Sequence, residues 1–365
     1  MVNYAGLEVL VTGATGFIGA RLAERLAFET EASVRALVRE VRKSVWLSRS
    51  PIELVIGDVT QKASLEKAMA GCDIVFHCVG IGGSAETCRA VNVEGTQNVL
   101  EAAQAAGVKR VVYLSSIAVY GPSLPDHADE TASLVRTGAP YGDSKVEAEE
   151  LISRFVLDHS LNVIVLQPTF VWGPRSEWFT VDPIRQMAKG TWQLVDEGRG
   201  TCHAVYVDNL VDAALLAGHR HSIKSGERFI ITDDQPCTWG EFWLAHAKMI
   251  GKSSLPSFPS TKSTKHPIRI LDRWLWKFRD WLGDHCPDTG PFRYVVLAPR
   301  YVIRKAAGLW GGQTIYGDWD LVKYGRVYNL SVEKARLTLG YVPRVSREQG
   351  MRETQQWMTD QVQIR

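Results

Sequence analysis

The sequence predicts an α/β fold, a doubly wound parallel sheet with a smaller lobe in the C-terminal half. Three observations predict it. Leu7, Val9, Leu10 and Val11 run into Thr12 and then Gly13, Gly16 and Gly19, while Ile18, Leu22 and Leu26 continue at helical spacing; that is a buried strand, a tight turn and a helix. Five more short apolar runs follow, each separated by a stretch long enough for a helix, which is the alternation of a parallel sheet. Finally, eleven of the twelve tryptophans lie at or after Trp172, so the composition changes once the sheet is complete. The expected division is 1–175, with return segments at about 202–250, for the sheet domain, and 176–201 with 251–365 for the lobe.

The bulk properties narrow the class. Of 365 residues, 45% are hydrophobic and 22% charged, with a net charge of +2, so nothing points to a disordered tail or a nucleic-acid footprint. Cys72, Cys78, Cys88, Cys202, Cys237 and Cys286 form no Cys-x-x-Cys pair and several sit in apolar runs. Reduced thiols and a cytoplasmic location are expected. The first strand begins within about seven residues and no run of about 18 apolar residues occurs, so neither a signal peptide nor a membrane span is expected.

The glycine turn is the first site. Without side chains there, backbone N–H groups can approach a pyrophosphate, and the following helix N-terminus directs partial positive charge at the same place. The spacing Gly-x-x-Gly-x-x-Gly points to a dinucleotide site of Rossmann type, although a turn without a ligand shows the same residues.

Ser33 to Val38 reads as the second strand and ends in Arg39, with Arg42 and Lys43 close behind. An arginine at that strand end suits the 2′-phosphate of NADP, where an acid would suit the ribose of NAD. NADP(H) is therefore favoured, NAD(H) stays open, and a solvated basic loop is the plainer reading. Glu53 to Ile56 closes on Gly57, Asp58 and Val59, where Asp58 either meets an adenine or caps the next helix. Ile74 to Cys78 leads into Val79 and Gly80, a loop of small side chains fit to be a cofactor wall. After a helix through Asn92, Gly95, Thr96 and Val99, the strand Arg110 to Leu114 delivers Ser115 and Ser116 to the same sheet edge.

A polar stretch from Pro122 to Pro140 precedes Tyr141, Gly142, Asp143, Ser144 and Lys145 on a helical run. Positions four apart share a helix face. A phenol titrates near 10, so a nearby cation makes it a usable proton donor and acceptor closer to neutrality. Asn162 to Leu166 is the sixth strand, and Gln167 to Pro174 redirects the chain with two prolines and a glycine.

Beyond it, Ala204 to Val207 reads as a short strand before an Asp208 helix cap, Arg228 to Ile231 as another strand and Trp239 to Ile250 as a helix. The tryptophan excess reads equally as an ordinary aromatic core and as a pocket for a bulky apolar substrate. Residues 268–282 alternate Ile268, Leu271, Trp274, Leu275, Phe278, Trp281 and Leu282 with basic residues. Such a helix packs on its own protein or lies on a membrane surface. Ser331 and Ser346 read as caps of two closing helices.

Taken together, TGATGFIG at Thr12 to Gly19, Asp58 Val59, Asn92 with Gly95 Thr96, Ser115 Ser116 before Val119 Tyr120 Gly121, YGDSK at Tyr141 to Lys145, and Pro168 to Pro174 resemble the extended short-chain dehydrogenase/reductases. YVDNLVDAA from Tyr206 and YNLSVEKARLTLGYVP from Tyr328 are most similar to its 3β-hydroxysteroid dehydrogenase-like branch. Gln167 departs from the pattern, standing where many members carry arginine.

The resemblance implies Tyr141 as acid/base, Lys145 as its partner, and Ser116 as the hydroxyl that polarises substrate, with Ser115 the alternative. It implies cofactor contacts from Gly13, Thr15, Gly16, Phe17, Ile18, Gly19, Arg39, Asp58, Val59, Cys78, Val79, Gly80, Asn92, Tyr141, Lys145, Pro168 and Val171, and no metal. The lobe would bind the substrate, a ketone or secondary alcohol on a bulky hydrophobic molecule, and the chain would form a homodimer through the helices at 84–106 and 142–159. The alternatives are a nucleotide-sugar epimerase or dehydratase, with Arg175, Lys189 and Arg199 as cations for a diphosphate, and a non-catalytic NADP-binding redox sensor.

Overall fold

The structure, a computed structural model, describes residues 2–44, 47–260 and 324–363. Seven parallel strands make the central sheet: β1 (Glu8–Thr12), β2 (Ser33–Val38), β3 (Ile52–Ile56), β4 (Ile74–His77), β5 (Arg110–Leu114), β6 (Asn162–Pro168) and Arg228–Ile231. The last is β11 here, because short strands β7 (Phe170–Trp172), β8 (Leu194–Val195), β9 (Thr201–Cys202) and β10 (Ala204–Tyr206) precede it. The strand order β11-β6-β5-β4-β1-β2-β3 reverses direction between β1 and β4. At such a reversal the loops leaving the two strands diverge and open a crevice at their carboxyl ends. The glycine turn leaves β1 and the Cys78 loop leaves β4, so both flank it.

Helices cover both faces because a parallel sheet exposes apolar side chains on each. On one face α1 (Phe17–Glu29) and α7 (Val207–His219) bury Leu22, Leu26, Leu210 and Val211 against Val9, Val11 and Ile164. On the other, α2 (Lys62–Met69), α4 (Gly95–Ala105) and α5 (Pro140–Asp158) bury Leu65, Leu100 and Ile152 against Leu10, Val75 and Val163. Between them, α3 (Ala85–Cys88) runs into a π-helical turn, Arg89–Glu94, and on into α4.

Two compact units emerge, one of Met1–Phe179, His203–Pro236 and Tyr328–Arg365, the other of Thr180–Cys202 and Cys237–Val327. Apart from small shifts at 176–179 and at residue 202, this differs from the expected division in two segments. Residues 328–365 belong with the sheet because Ala335, Leu339 and Tyr341 are part of the core around α1 and α7, and Asn209 accepts from the Arg344 and Val345 backbone at 3.0 and 2.9 Å. The helix from Trp239, α8 (Trp239–Lys248), belongs to the second unit, where Trp239 and Trp243 stack at 5.8 Å and Trp192 meets Trp243 at 4.8 Å. That unit also holds α6 (Asp182–Ala188), β12 (Cys237–Thr238) and β13 (Ser257–Phe258). Three of the late tryptophans are thus core of this unit, all nearly inaccessible.

Asp208 does not cap α7; Tyr206 is its N-cap residue, and Asp208 accepts from Arg21 Nε and Nη2 at 2.5 and 3.0 Å. The last helix, α9 (Arg347–Gln363), begins as expected with Ser346 accepting from Gln349 N at 3.2 Å. The amphipathic stretch 268–282 lies outside the described residues. Among the described residues no helix is long and apolar enough to cross a membrane.

Candidate active site

The glycine turn is shaped by contact as well as conformation. Gly13 has φ +70° and a Cβ there would lie 2.9 Å from the Cys78 carbonyl; one at Gly19 would lie 2.5 Å from the Gly13 oxygen. Only glycine lets β1, the turn and α1 approach this closely. Gly16 is the N-cap of α1, and no side chain caps the helix and no acid occupies its first turn. Among the described residues the first N–H groups of this 13-residue helix thus have no side-chain acceptor, the arrangement an anion site uses. Thr15 and Gly16 are exposed and Phe17 and Ile18 half-buried behind them.

The crevice walls follow from the neighbouring strands. Cys78 N donates to Thr12 O at 3.2 Å, tying the β4 loop to the turn, and Cys78 and Val79 are half-buried while Gly80 is exposed. Arg39 stands exposed one residue past β2. Asp58 does not cap α2, whose N-cap is Gln61; its Oδ1 accepts from Thr60 N and Oγ1, both at 2.9 Å. Val59 is buried against Gly95, where a Cβ would come within 2.9 Å of it. Pro168 is buried at the end of β6 and Val171 half-buried on β7.

Asn92 lies in the π-helical turn and its amide is fully engaged. It donates to Ile81 O at 2.8 Å and to Ser144 Oγ at 2.9 Å, and accepts from Ile81 N at 2.9 Å. The side chain thereby fastens the wall loop to α5; π-turns often mark such positions.

Ser115 and Ser116 face opposite ways, as consecutive residues leaving a strand do. Ser115 is buried and donates to Glu149 Oε1. Ser116 is half-buried, accepts from Ala118 N at 3.2 Å and neighbours the Tyr141 hydroxyl. Tyr141 keeps 36% of its surface open while its hydroxyl end is enclosed. That burial raises its pKa above the usual phenol value, and Ser116 acts in the opposite sense.

One turn later Lys145 is 1% exposed. It donates to Leu114 O at 2.8 Å, Tyr113 Oη at 3.2 Å and Val79 O at 3.4 Å. Burial pushes its pKa down to about 8, with Glu149 and Cys78 opposing. Beside it His77 is pushed down to about 3 by burial and the Lys145 charge, and it bridges Thr12 and Thr96 at 2.7 and 3.1 Å. His77, Tyr113, Glu149 and Arg228 were not read from the sequence as site residues. Only Glu149 carried a local signal, lying four residues beyond Lys145 and eight beyond Tyr141 on one helix face.

A separate depression of about 690 Å³, lined by residues including Arg25, Asp212, His219, Arg220 and Arg344, gathers the carboxyl ends of α1 and α7. It is at the amino ends of the strands, opposite the crevice.

A seven-stranded doubly wound sheet with a glycine turn and Ser, Tyr and Lys at its carboxyl edge defines a dinucleotide-dependent enzyme class. The pattern of the NAD dependent epimerase/dehydratase family matches residues 9–232, and the chain belongs to that family, in its 3β-hydroxysteroid dehydrogenase-like branch of extended short-chain dehydrogenase/reductases. The 4-hydroxy-2-methyl-3-oxo-4-farnesyl-3,4-dihydroquinoline-1-oxide ketoreductase of Stigmatella aurantiaca is 28% identical, covering 94% of this chain and 95% of its own. The decarboxylating sterol-4-alpha-carboxylate 3-dehydrogenase of Saccharomyces cerevisiae is also 28% identical, covering 97% and 98%. In fold, the chain is similar to UDP-glucuronic acid 4-epimerase from Bacillus cereus solved with NAD, at a TM-score of 0.71 and 18% identity over 97% of each chain.

Proposed function

We propose that this chain is an NADP(H)-dependent oxidoreductase that interconverts a ketone and a secondary alcohol on a bulky hydrophobic substrate. The observation that carries this reading is the placement of the Ser116 hydroxyl beside the Tyr141 hydroxyl, with Lys145 one turn behind them at the edge of the crevice. The relatives named for a farnesylated quinoline oxide and for sterol carboxylates act on large, mostly apolar molecules, which supports the substrate class.

The residues present fit a dinucleotide. Gly13, Thr15, Gly16, Phe17, Ile18 and Gly19 would receive the pyrophosphate at the uncapped start of α1. Arg39 would pair with a 2′-phosphate, Asp58 and Val59 would border the adenine, and Cys78, Val79 and Gly80 would wall the crevice. Asn92 acts by holding that wall, and Pro168 and Val171 close the nicotinamide end. The bound cofactor supplies or accepts the hydride.

Every other step belongs to the chain. Ser116 donates a hydrogen bond to the carbonyl oxygen, which gathers negative charge as the carbon is reduced. Tyr141 then delivers its proton to the same oxygen, and in the reverse direction takes it away. Lys145, positively charged and buried, favours the tyrosinate and would bind the nicotinamide ribose. A homodimer through the outer faces of α4 and α5 is part of the same proposal.

The epimerase reading has one observation in its favour, the fold similarity to nucleotide-sugar enzymes. Against it, two of its three expected cations are occupied by acids, Arg175 with Glu24 at 3.3 Å and Arg199 with Glu197 at 2.8 Å. Stoichiometry separates the readings. Incubated with hydrophobic ketones, the protein is expected to consume one NADPH per alcohol formed; conversion of UDP-sugars with no net NADPH loss would establish the alternative.

A further inference from the structure

Behind Lys145 lies a buried polar network that this chemistry does not use. Glu149 is 1% exposed, and each of its hydrogen-bond and ion-pair partners among the described residues is a donor. Ser115 donates to Oε1, the Gln167 amide nitrogen to both oxygens at 3.0 Å, and Arg228 Nε lies 3.5 Å from Oε2. The Tyr120 hydroxyl donates to Gln167 Oε1 at 2.6 Å, which fixes the amide with its nitrogen toward Glu149. Such surroundings suit a carboxylate: Gln167 Nε2 and Arg228 Nε can only donate, and a carboxylic acid's own O–H would have only the Ser115 oxygen to turn to.

Lys145 presents the complementary problem. Its three hydrogen-bond partners, Leu114 O, Tyr113 Oη and Val79 O, are all neutral. On β4, β5 and the loop that leaves β4, burial keeps His77 unprotonated and holds Cys78 and Tyr113 in their neutral thiol and phenol forms. Of the other charges of α5, Glu147 pairs with Arg89 and Glu150 with Arg136, Asp143 accepts from Thr137 N and Gly138 N at 2.7 and 2.9 Å, and Arg154 and Asp158 are exposed. Glu130, near Tyr120, is engaged by Ile230 N at 2.7 Å. The anion one turn along the same helix face is Glu149.

We propose that Glu149, fixed by Ser115, Gln167 and Arg228, is the counter-charge that keeps Lys145 an ammonium ion at neutral pH, and is thereby a positioning residue for the Tyr141 proton. The first half stands apart from the proposed function; the second rests on the function proposed above. The opposing directions agree with it. Glu149 raises Lys145 against burial; burial leaves the Glu149 carboxyl above its usual value, and Ser115, Gln167, Arg228 and Lys145 all act to bring it back down.

The test reads Lys145 directly. In protein with 13C-labelled lysine side chains, the Lys145 resonance is the one lost in Lys145→Met, and its titration needs neither substrate nor cofactor. The wild type is expected to titrate near pH 8 and Glu149→Gln about one pH unit lower. Gln167→Met, of similar volume and unchanged charge, is expected to move the midpoint the same way by less, and carries the test if Glu149→Gln does not fold. An unmoved midpoint in the folded variants overturns the proposal. A moved midpoint together with a fully active Tyr141→Phe leaves the counter-charge standing and removes the catalytic reading. In turnover, the alkaline limb of kcat/KM shifts down by the same interval; loss of rate at every pH with an unmoved limb would mean a merely structural role.

Discussion

The Lys145 ammonium donates to the carbonyl oxygen of Leu114 at 2.8 Å, so the cation of the Tyr-Lys pair is anchored to the end of β5. It is held by the sheet, at the cost of being buried there. That cost has a pH signature. Lys145 is lowered from 10.5 to about 8, so between those values the unfolded chain binds more protons than the native one, and stability rises with pH. Over 2.5 units at about 1.36 kcal/mol each the gain is about 3 kcal/mol. Urea denaturation at pH 8 and pH 10.5 is expected to show this rise in the wild type and its loss in Lys145→Met. An equal rise in both would place the titrating group elsewhere.

The glycine turn gives a sharper steric test. Gly19→Ala places a Cβ 2.5 Å from the Gly13 oxygen, backbone against backbone, and is expected to cost about 1–3 kcal/mol and to weaken dinucleotide binding at least tenfold. Gly82→Ala meets nothing within 4 Å and serves as the control. Calorimetry and cofactor titration of both variants check this.

Arg110 holds the far end of α7. Its Nη1 donates to Ala217 O at 2.9 Å, to Gly218 O at 3.4 Å and to Arg220 O, satisfying carbonyls that a helix terminus leaves without partners. Arg110→Met is expected to destabilise by about 2 kcal/mol, read as a lowered Tm, while cofactor affinity is unchanged because the contact lies at the opposite edge of the sheet.

Arg39, exposed past β2, gives the cofactor prediction. Arg39→Ala is expected to weaken NADPH binding about tenfold or more and leave NADH binding within about twofold. Tryptophan quenching by each nucleotide measures it; equal losses for both would deny the 2′-phosphate contact.

The glycine turn, the strands and the Tyr-Lys spacing were legible because each is a local requirement written as residue type. Gly19 must lack a side chain for a contact six residues away and Gly13 for the turn's positive φ as well as its contact with Cys78, and Tyr141 and Lys145 share a helix face by period alone. Glu149 became significant only when β5, β6 and β11 brought Ser115, Gln167 and Arg228 around it, and no local pattern encodes that meeting. Asp208 looked like a cap because its type suits one, yet Arg21, 187 positions earlier, takes the carboxylate. The tryptophan surplus was ambiguous for the same reason: Trp192 and Trp243 are far apart in sequence and pack at 4.8 Å.

The most direct test of the account is Tyr141→Phe, measured for NADPH-dependent reduction of a hydrophobic ketone and for NADPH affinity. The expected result is a fall in kcat of at least about a thousandfold, with binding within a few-fold of wild type. Reduction at near wild-type rate would contradict it and move the proton donor to another residue.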